Sequence, residues 1–302
     1  MVAEPVPRGR VAAAAVLTAR QRPLPPAVRR RRVLVAIGNH ALLIALGAMF
    51  AVPIVFILLT ALMTDEQALS PDLWPKPFQW GNFVEVWHRV PLLRYTWNTF
   101  QIAFLLTAGT VVSSIPVAYA LSRMRWRGRE GVFVLVLATI MLPNVVTLIP
   151  VYIVFSKLGW IPSFKPLVVP AFFATDAFSI FLLRQFFLTI PKELSDAARV
   201  DGAGELQILL RIIVPLAKPA ISAVALFSFL YAWNDFFMPL LYLGQDPHLW
   251  TLGIGLSEFR GLHHVEWNLT MAASILFIVP VIFVFILSQR AFMEGIKLGV
   301  GK

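Results

Sequence analysis

A charged stretch lies between two long apolar segments at residues 190–219, which read IPKELSDAARVDGAGELQILLRIIVPLAKP. Its first 24 positions carry seven charged side chains. Pro191 suits the first turn of a helix, and Glu193 complements the positive end of that helix. A second helical run, from Glu205 to Leu216, leads into the next apolar segment. The pattern therefore predicts a short, stiff polar helix between two apolar segments.

Four residues of this stretch recur at helical spacing and are predicted to share one face: Leu194, Ala197, Ala198 and Asp201. The two alanines would let the backbone of a partner come close. Gly202 and Gly204 are expected to end the turn, because glycine readily adopts the φ > 0 conformation of a helix cap. The alternative is a helix that lies on a membrane surface without a partner. That alternative would need a larger apolar face than Leu194 and Val200 provide.

The composition indicates an integral membrane protein. Of the 302 residues, 58% are hydrophobic and only 14% are charged, whereas a soluble domain carries about a quarter charged residues. The apolar residues also form long runs, and no enzyme-sized soluble region is left over. The sequence has no cysteine, which excludes disulfides, thiolate metal sites and cysteine nucleophiles.

Six membrane-spanning helices are predicted, because a lone strand would leave its amide groups unpaired in lipid. Prolines in or near these helices are expected to kink them. The six predicted spans are residues 34–62, 97–122, 131–155, 166–189, 212–243 and 270–289.

The distribution of Lys and Arg predicts the orientation of the chain. Twenty of the 26 basic residues lie in or beside both termini and loops 123–130 and 190–211, and six lie on the other side. Basic residues mark the cytoplasmic side of a membrane protein. Both termini and the charged loop 190–211 are therefore predicted to be cytoplasmic. The same rule explains the net charge of +10 better than nucleic-acid binding does.

The chain is predicted to have two parts. Residues 1–32 are rich in Arg, Pro and Ala and cannot bury enough apolar surface to fold alone, so they are expected to form a basic, disordered cytoplasmic tail. Residues 33–302 are expected to form the six-span domain. In the outer loop 64–96, three tryptophans together with Pro71, Pro75 and Pro77 indicate a folded cap rather than only an aromatic belt.

The charged loop resembles a known signature. Asp196-Ala197-Ala198, Gly202 and the run Ile212 to Pro215 resemble E-A-A-x3-G-x9-I-x-L-P, the cytoplasmic-loop motif of importer-type ABC permeases, with Asp for Glu and Val for Leu. From about residue 34 onward, further stretches are similar to the second six-span permease of maltose-type (carbohydrate uptake) importers: Met141–Asn144, Ile149–Tyr152, Leu158–Trp160, Phe181–Phe187, Trp233–Phe236 and Gln289-Arg290 with Gly295.

This resemblance implies an all-α protein with the type I ABC importer permease fold, in a bacterial cytoplasmic membrane. It also implies a different, homologous permease subunit as partner, two cytoplasmic ATP-binding subunits and an extracytoplasmic solute-binding protein. The residues that would couple to the ATPase are Glu193, Leu194, Asp196, Ala197, Ala198, Asp201, Gly202, Ala203 and Pro215. The sequence lacks a G-x-x-x-x-G-K-[ST] phosphate loop, so it is predicted to be no enzyme, to need no cofactor and to rely on its partners for ATP hydrolysis.

Ionisable residues inside predicted spans are candidates for contact with a solute, because an intramembrane charge is costly. Asp176 and Asp235 are the two acids in such positions. Trp233 and Asn234 precede Asp235 and suit a sugar ring. Asn144 follows Pro143 and could either line the path or cap a kink. The competing interpretation is that these polar groups only hold helices together, and the sequence favours it.

One group of residues of metal-binding type occurs in the sequence. His263, His264 and Glu266 are close in sequence, but adjacent histidines point apart on a helix, and no further ligand is near. A solvated loop is predicted instead, and no metal site.

Three classes of function remain in competition. The first is a permease subunit that imports a sugar or oligosaccharide, or alternatively a glycerophospho-compound or other polar solute. The second is an ion-coupled secondary transporter, which explains the two acids but not the loop signature. The third is a membrane scaffold or enzyme, which explains little beyond the hydrophobicity.

Overall fold

A computed structural model describes residues 26–259 and 265–300. The chain divides into two units at Phe56. The described part of the first unit belongs to helix α1, Pro26–Ala61, and all of its side chains from residue 34 to residue 56 are exposed. The predicted tail therefore ends earlier than residue 32, since residues 26–32 are helical, while residues 1–25 lie outside the described residues.

The described part of the second unit is helical, with short connecting loops. On the side of the predicted outer loop, α2 spans Asp65–Ala68 and α3 spans Gly81–Arg89. The remaining helices are α4 Leu92–Ser122, α5 Arg129–Ile140, α6 Asn144–Lys157, α7 Lys165–Val168, α8 Ala177–Thr189, α9 Lys192–Val200, α10 Glu205–Ile208, α11 Val214–Leu216, α12 Lys218–Asn234, α13 Phe237–Leu243, α14 Leu252–Ser257 and α15 Trp267–Val300. A 3₁₀ turn, Val169–Phe173, joins α7 towards α8, and a π turn, Leu209–Ile213, joins α10 to α11.

Four helices of the described chain are long and apolar enough to cross a membrane: Leu34–Ala61, Leu92–Ser122, Lys165–Thr189 and Trp267–Ile286. Two bent helix pairs raise the number of candidate spans to six if each pair counts as one. The predicted all-α class is confirmed, and the six candidates correspond to the six predicted spans.

The predicted third and fifth spans differ from simple helices. The third breaks between α5 and α6, which meet at 98° where Pro143 precedes α6. The fifth bends by 79° at Ala217 and breaks again at Asp235. Proline explains such breaks, because it lacks the N–H that continues the helical hydrogen bonding. The second span begins at Leu92 rather than residue 97.

The second unit has two main apolar clusters. One joins α3, α4, α12 and α15, with Trp233 and Tyr95 among its largest buried side chains. The other joins α4, α8 and the segment from Ile208 to Val224. Helix α4 packs against both α8 and α12. The second cluster therefore lies directly behind the charged loop, and it positions the site described next.

Candidate functional site

Helix α9 is the short polar helix that the sequence predicts. It begins after Pro191 and ends in a left-handed turn at Gly202, where φ is +84°. The Gly202 amide donates to the Arg199 carbonyl at 3.1 Å, and the Ala203 amide donates to the Ala198 carbonyl at 2.9 Å. These two bonds make a Schellman cap, which glycine forms without steric cost. The helix is therefore stopped by a defined structure rather than by fraying.

Gly204 has a different role from the one expected. Its φ is −73°, so it does not need the left-handed region. It precedes α10, and its amide donates to Oε1 of the Gln207 side chain at 3.2 Å. Only Gly202 ends the turn, whereas Gly204 starts the next helix.

An ion-pair network ties α9 to its neighbours. Arg199 contacts Asp196 at 2.7 Å and Glu205 at 2.8 Å. The Tyr119 hydroxyl of α4 donates to the other oxygen of Glu205 at 2.5 Å. The hydrogen bond to Glu205 raises the pKa of Arg199 above its ordinary value, so the guanidinium stays charged. The carboxyl-terminal half of α9 and the start of α10 are thereby linked to α4.

The predicted coupling residues divide by exposure. Those on the outer face of α9 and its end are exposed: Glu193, Leu194, Asp196, Ala197, Asp201 and Gly202. Val200 is 89% exposed. Ala198 and Ala203 instead pack partly against the second apolar cluster, and Pro215 is exposed within α11. The predicted face is therefore presented to the surface, except for Ala198.

Two buried arginines anchor the base of this loop. From the sequence, their charges served only to predict which side of the membrane the loop faces. Arg123 donates from Nη2 to the carbonyl oxygens of Phe187, at 2.6 Å, and Ile190. Arg184 donates from Nε to the Leu121 carbonyl at 3.1 Å, pairs with Glu130 at 3.0 Å and lies over the Phe133 ring. The sequence does show an arginine near the end of each of these two spans. It does not show which carbonyl groups the arginines contact, because those groups are remote in sequence.

Asp176 and Asp235 both cap helices. Asp176 precedes α8, where its Oδ1 accepts from the Phe178 amide at 3.1 Å and its Oδ2 accepts from the Ser179 hydroxyl at 2.5 Å. The Oδ1 of Asp235 accepts from the Met238 amide at 3.2 Å, at the start of α13. These bonds are local, and they satisfy backbone amide groups at the start of α8 and α13 rather than joining one helix to another.

Two adjoining cavities are nevertheless lined by these acids. A cavity of about 510 Å³ is lined by Asp176, Ser179, Thr110 and Ser228, and a mostly apolar one of about 690 Å³ is lined by Asp235. Tyr231 borders both cavities and is exposed. Its position was missed in the sequence, because one tyrosine in an apolar helix gives no pattern.

The other proposed path residues lie elsewhere. Trp233 is 2% exposed and stacks on Phe229, within the first apolar cluster and away from the cavity linings. The Asn234 side chain donates to the Leu230 carbonyl at 2.7 Å. Asn144 begins α6, and its side chain lies outside the described part. Trp233 therefore serves packing, because the helical turn places it on the side of α12 opposite Tyr231, while Asp235 lies just past the end of this helix.

No group of metal-ligating side chains occurs in the described ranges 26–259 and 265–300. His263 and His264 lie outside these ranges. Glu266 forms an ion pair with Arg89 at 2.6 Å.

Comparisons with known proteins agree on one family. The family described as "Binding-protein-dependent transport system inner membrane component" matches residues 109–297. The sn-glycerol-3-phosphate transport system permease protein UgpE of Yersinia pestis bv. Antiqua (strain Antiqua) is 33% identical over 267 residues, covering 85% of this chain and 94% of the relative. UgpE of Brucella abortus (strain 2308) is 34% identical over 280 residues, covering 89% and 98%.

A solved structure shares the fold. A chain of a bacterial ABC transporter involved in the import of the acidic polysaccharide alginate superposes with a TM-score of 0.72 at 25% identity, covering 87% of this chain and 98% of that chain. The resemblance drawn from the loop signature is thus confirmed by family, relatives and fold. This chain belongs to the binding-protein-dependent transport system inner membrane components, and it is a multi-pass ABC importer permease.

Proposed function

We propose that this chain is one of two different permease subunits of an ATP-driven importer, and that it translocates a sugar or oligosaccharide delivered by an extracytoplasmic binding protein. The observation that carries this proposal is the exposed face of α9, held rigid by its Schellman cap and by the bonds of Arg199 and Glu205. A rigid exposed helix suits transmission of movement, because a partner can shift a conformational equilibrium only through contacts that differ between its states.

The two cytoplasmic ATP-binding partners would seat the outer face of α9 and hydrolyse the ATP. The family description, binding-protein-dependent, supports delivery by a soluble solute receptor. The basic residues around both termini support a cytoplasmic position for the termini and for α9. ATP binding would favour an outward-facing state of the permease pair, and nucleotide release would favour the inward-facing state.

A glycerophospho-compound is the second candidate solute, and the names of the relatives support it. The cavities support the neutral sugar instead. Neither lining includes a Lys or Arg residue in the described chain, while each includes one carboxylate. A carboxylate repels an anionic solute, whereas hydroxyl-bearing and aromatic side chains suit the hydroxyls and C–H faces of a sugar.

Transport in proteoliposomes tests the function and separates it from the ion-coupled alternative. The complete complex would be reconstituted with its solute receptor, and uptake would be measured with ATP supplied to the ATPase side. We expect uptake that requires ATP, is inhibited by excess unlabelled oligosaccharide and is insensitive to dissipation of proton or sodium gradients. Uptake by this subunit alone in response to an ion gradient would refute the proposal, and inhibition by glycerol-3-phosphate alone would select the second solute.

Tyr231 is proposed as a residue of the solute path, because it borders both cavities. The substitutions Tyr231→Phe and Tyr231→Ala separate the hydroxyl from the ring. We expect Tyr231→Phe to raise the KM for uptake several-fold and Tyr231→Ala to raise it further. Association with the ATPase should be unchanged in both variants. Phe178→Leu, which changes a lining residue without a polar atom, serves as a control for packing. A KM unchanged in Tyr231→Ala would remove Tyr231 from the path.

A further inference from the structure

A small polar cleft separates the loop after α4 from the base of α9. Its volume is about 50 Å³. Five cationic side chains and one carboxylate line it: Arg123, Arg125, Arg129, Lys192, Arg199 and Asp196. The cleft shares Asp196 with the exposed face of α9, and it shares no lining residue with the two cavities beside Tyr231.

Two of the residues that line this cleft are deeply buried and carry a polar atom without a partner in the described chain. Ser195 is 2% exposed, and its hydroxyl has no hydrogen-bond partner in the described residues. Arg123 is 8% exposed, and its Nε lacks a partner there as well, although its Nη2 is bonded. Buried polar groups are nearly always satisfied, so each such atom calls for an explanation. A buried donor that is left without an acceptor costs about 1–3 kcal/mol.

The charges around the cleft are also unbalanced. Asp196 is engaged by Arg199 at 2.7 Å, and Arg129 is engaged by Glu130 at 2.7 Å. Arg125 and Lys192 form no ion pair within the described chain. Burial lowers the pKa of the Arg123 guanidinium, and the nearby charge of Arg199 lowers it further. An anion in the cleft would relieve both effects.

We propose that this cleft binds one phosphate-class oxyanion, either free inorganic phosphate or the phosphate of a phospholipid headgroup. The oxyanion would accept hydrogen bonds from Ser195 Oγ and Arg123 Nε and would pair with Arg125 and Lys192. Guanidinium groups bind phosphate strongly through parallel hydrogen bonds. The volume suits a single small group rather than a nucleotide. Bound there, it would join the end of α4 to α9 and stiffen the coupling helix.

The test uses the full-length protein in micelles of a phosphorus-free maltoside detergent, titrated with inorganic phosphate. Binding would be followed by ³¹P NMR line width and by the thermal midpoint of unfolding. We expect saturable binding, weakened roughly tenfold in Ser195→Ala, because hydrogen bonds to charged groups are strong. Without phosphate, Ser195→Ala should be at least as stable as the native chain, since it removes an unpartnered donor.

Arg125→Gln and Arg127→Gln form a matched pair in the same loop, because only Arg125 lines the cleft. We expect Arg125→Gln to weaken phosphate binding several-fold and Arg127→Gln to leave it unchanged. Nanodiscs that contain phosphatidylglycerol identify the source, since a headgroup in the cleft would be retained in native mass spectra and would compete with phosphate.

Two results would overturn the proposal. One is the absence of both saturable phosphate binding and retained anionic lipid. The other is an equal loss of binding in Arg125→Gln and Arg127→Gln, which would indicate only a general attraction of anions to a basic surface. The site does not depend on the proposed solute or on ATP-driven uptake, so either result would leave the transport experiment unaffected.

Discussion

Gly202 shows how one residue shapes a functional surface. Its positive φ forms the cap of α9, and a Cβ built on it meets no atom of the described residues within 4 Å. A substitution there would therefore disturb the backbone or a partner, but not the packing inside this chain. Asp and Asn tolerate the left-handed region better than other side chains do.

We predict that Gly202→Asp impairs uptake while the protein still inserts in the membrane. The tolerated backbone and the open space leave the fold intact, whereas the added charge lies on the face that we propose meets the ATPase. A loss of roughly tenfold in uptake is expected, in the usual range for coupling between sites. Gly202→Asn is the matched neutral variant and should lose less. Normal uptake and normal ATPase association in Gly202→Asp would contradict the coupling role.

The Arg199–Glu205 pair is the second residue-scale case. Both side chains are more than a third exposed, so solvent screening limits their contribution. A double-mutant cycle with Arg199→Gln and Glu205→Gln should give a coupling free energy of only about 0.5 kcal/mol in unfolding experiments. We expect a larger effect on uptake than on stability. Equal, small effects on uptake and on stability would mean that the Arg199–Glu205 pair has no part in coupling.

At the scale of elements, α9 depends on the helices behind it. Arg123 and Arg184 connect the end of α4 to the end of α8, just before α9 begins. Much of α9 itself was predictable, because Pro191, Glu193 and Gly202 act within a few residues of the backbone they shape. The anchors were not, because Tyr119 and Glu205 are 86 positions apart and no local pattern joins them.

Arg184 provides an element-scale prediction. Arg184→Lys keeps the charge but loses the planar group that lies over Phe133 and reaches the Leu121 carbonyl. We expect the free energy of unfolding in detergent micelles to fall by about 1–3 kcal/mol, the cost of an unmade buried hydrogen bond. Arg127→Lys, on the exposed loop, is the control and should change nothing. A stability equal to that of the native chain would show that Arg184 is not an anchor.

For the whole molecule, the confirmed features are the all-α class and the membership of the importer permease family. The orientation and the roles of single residues stay predictions. Trp233, Asn234 and Asp235 are adjacent in sequence, but α12 directs Trp233 into the core, while Asp235 lies just past the end of α12 and beside a cavity. Sequence proximity alone does not separate these roles, since it shows neither the direction of a side chain on a helix nor the exact residue at which the helix ends.

Cysteine labelling tests the orientation, and the absence of native cysteines gives a clean background. Val200→Cys and Trp80→Cys place single thiols at sites that are 89% and 65% exposed. A membrane-impermeant maleimide should label Trp80→Cys in intact cells and Val200→Cys only in inverted vesicles. Labelling of Val200→Cys from outside would invert the topology and reject the cytoplasmic coupling helix.

The amino-acid sequence by itself determined the membrane class, the number of candidate spans and the place of α9. Hydrophobic runs and basic flanks act through the solvent, and proline and glycine act through the local backbone. Their effects can therefore be predicted from the sequence alone. Only the tertiary structure decided that Gly204 starts a helix, that Trp233 is core, that Tyr231 borders two cavities and that buried arginines hold the loop. Those outcomes depend on groups brought together from distant positions, and their energies exist only once the helices are packed.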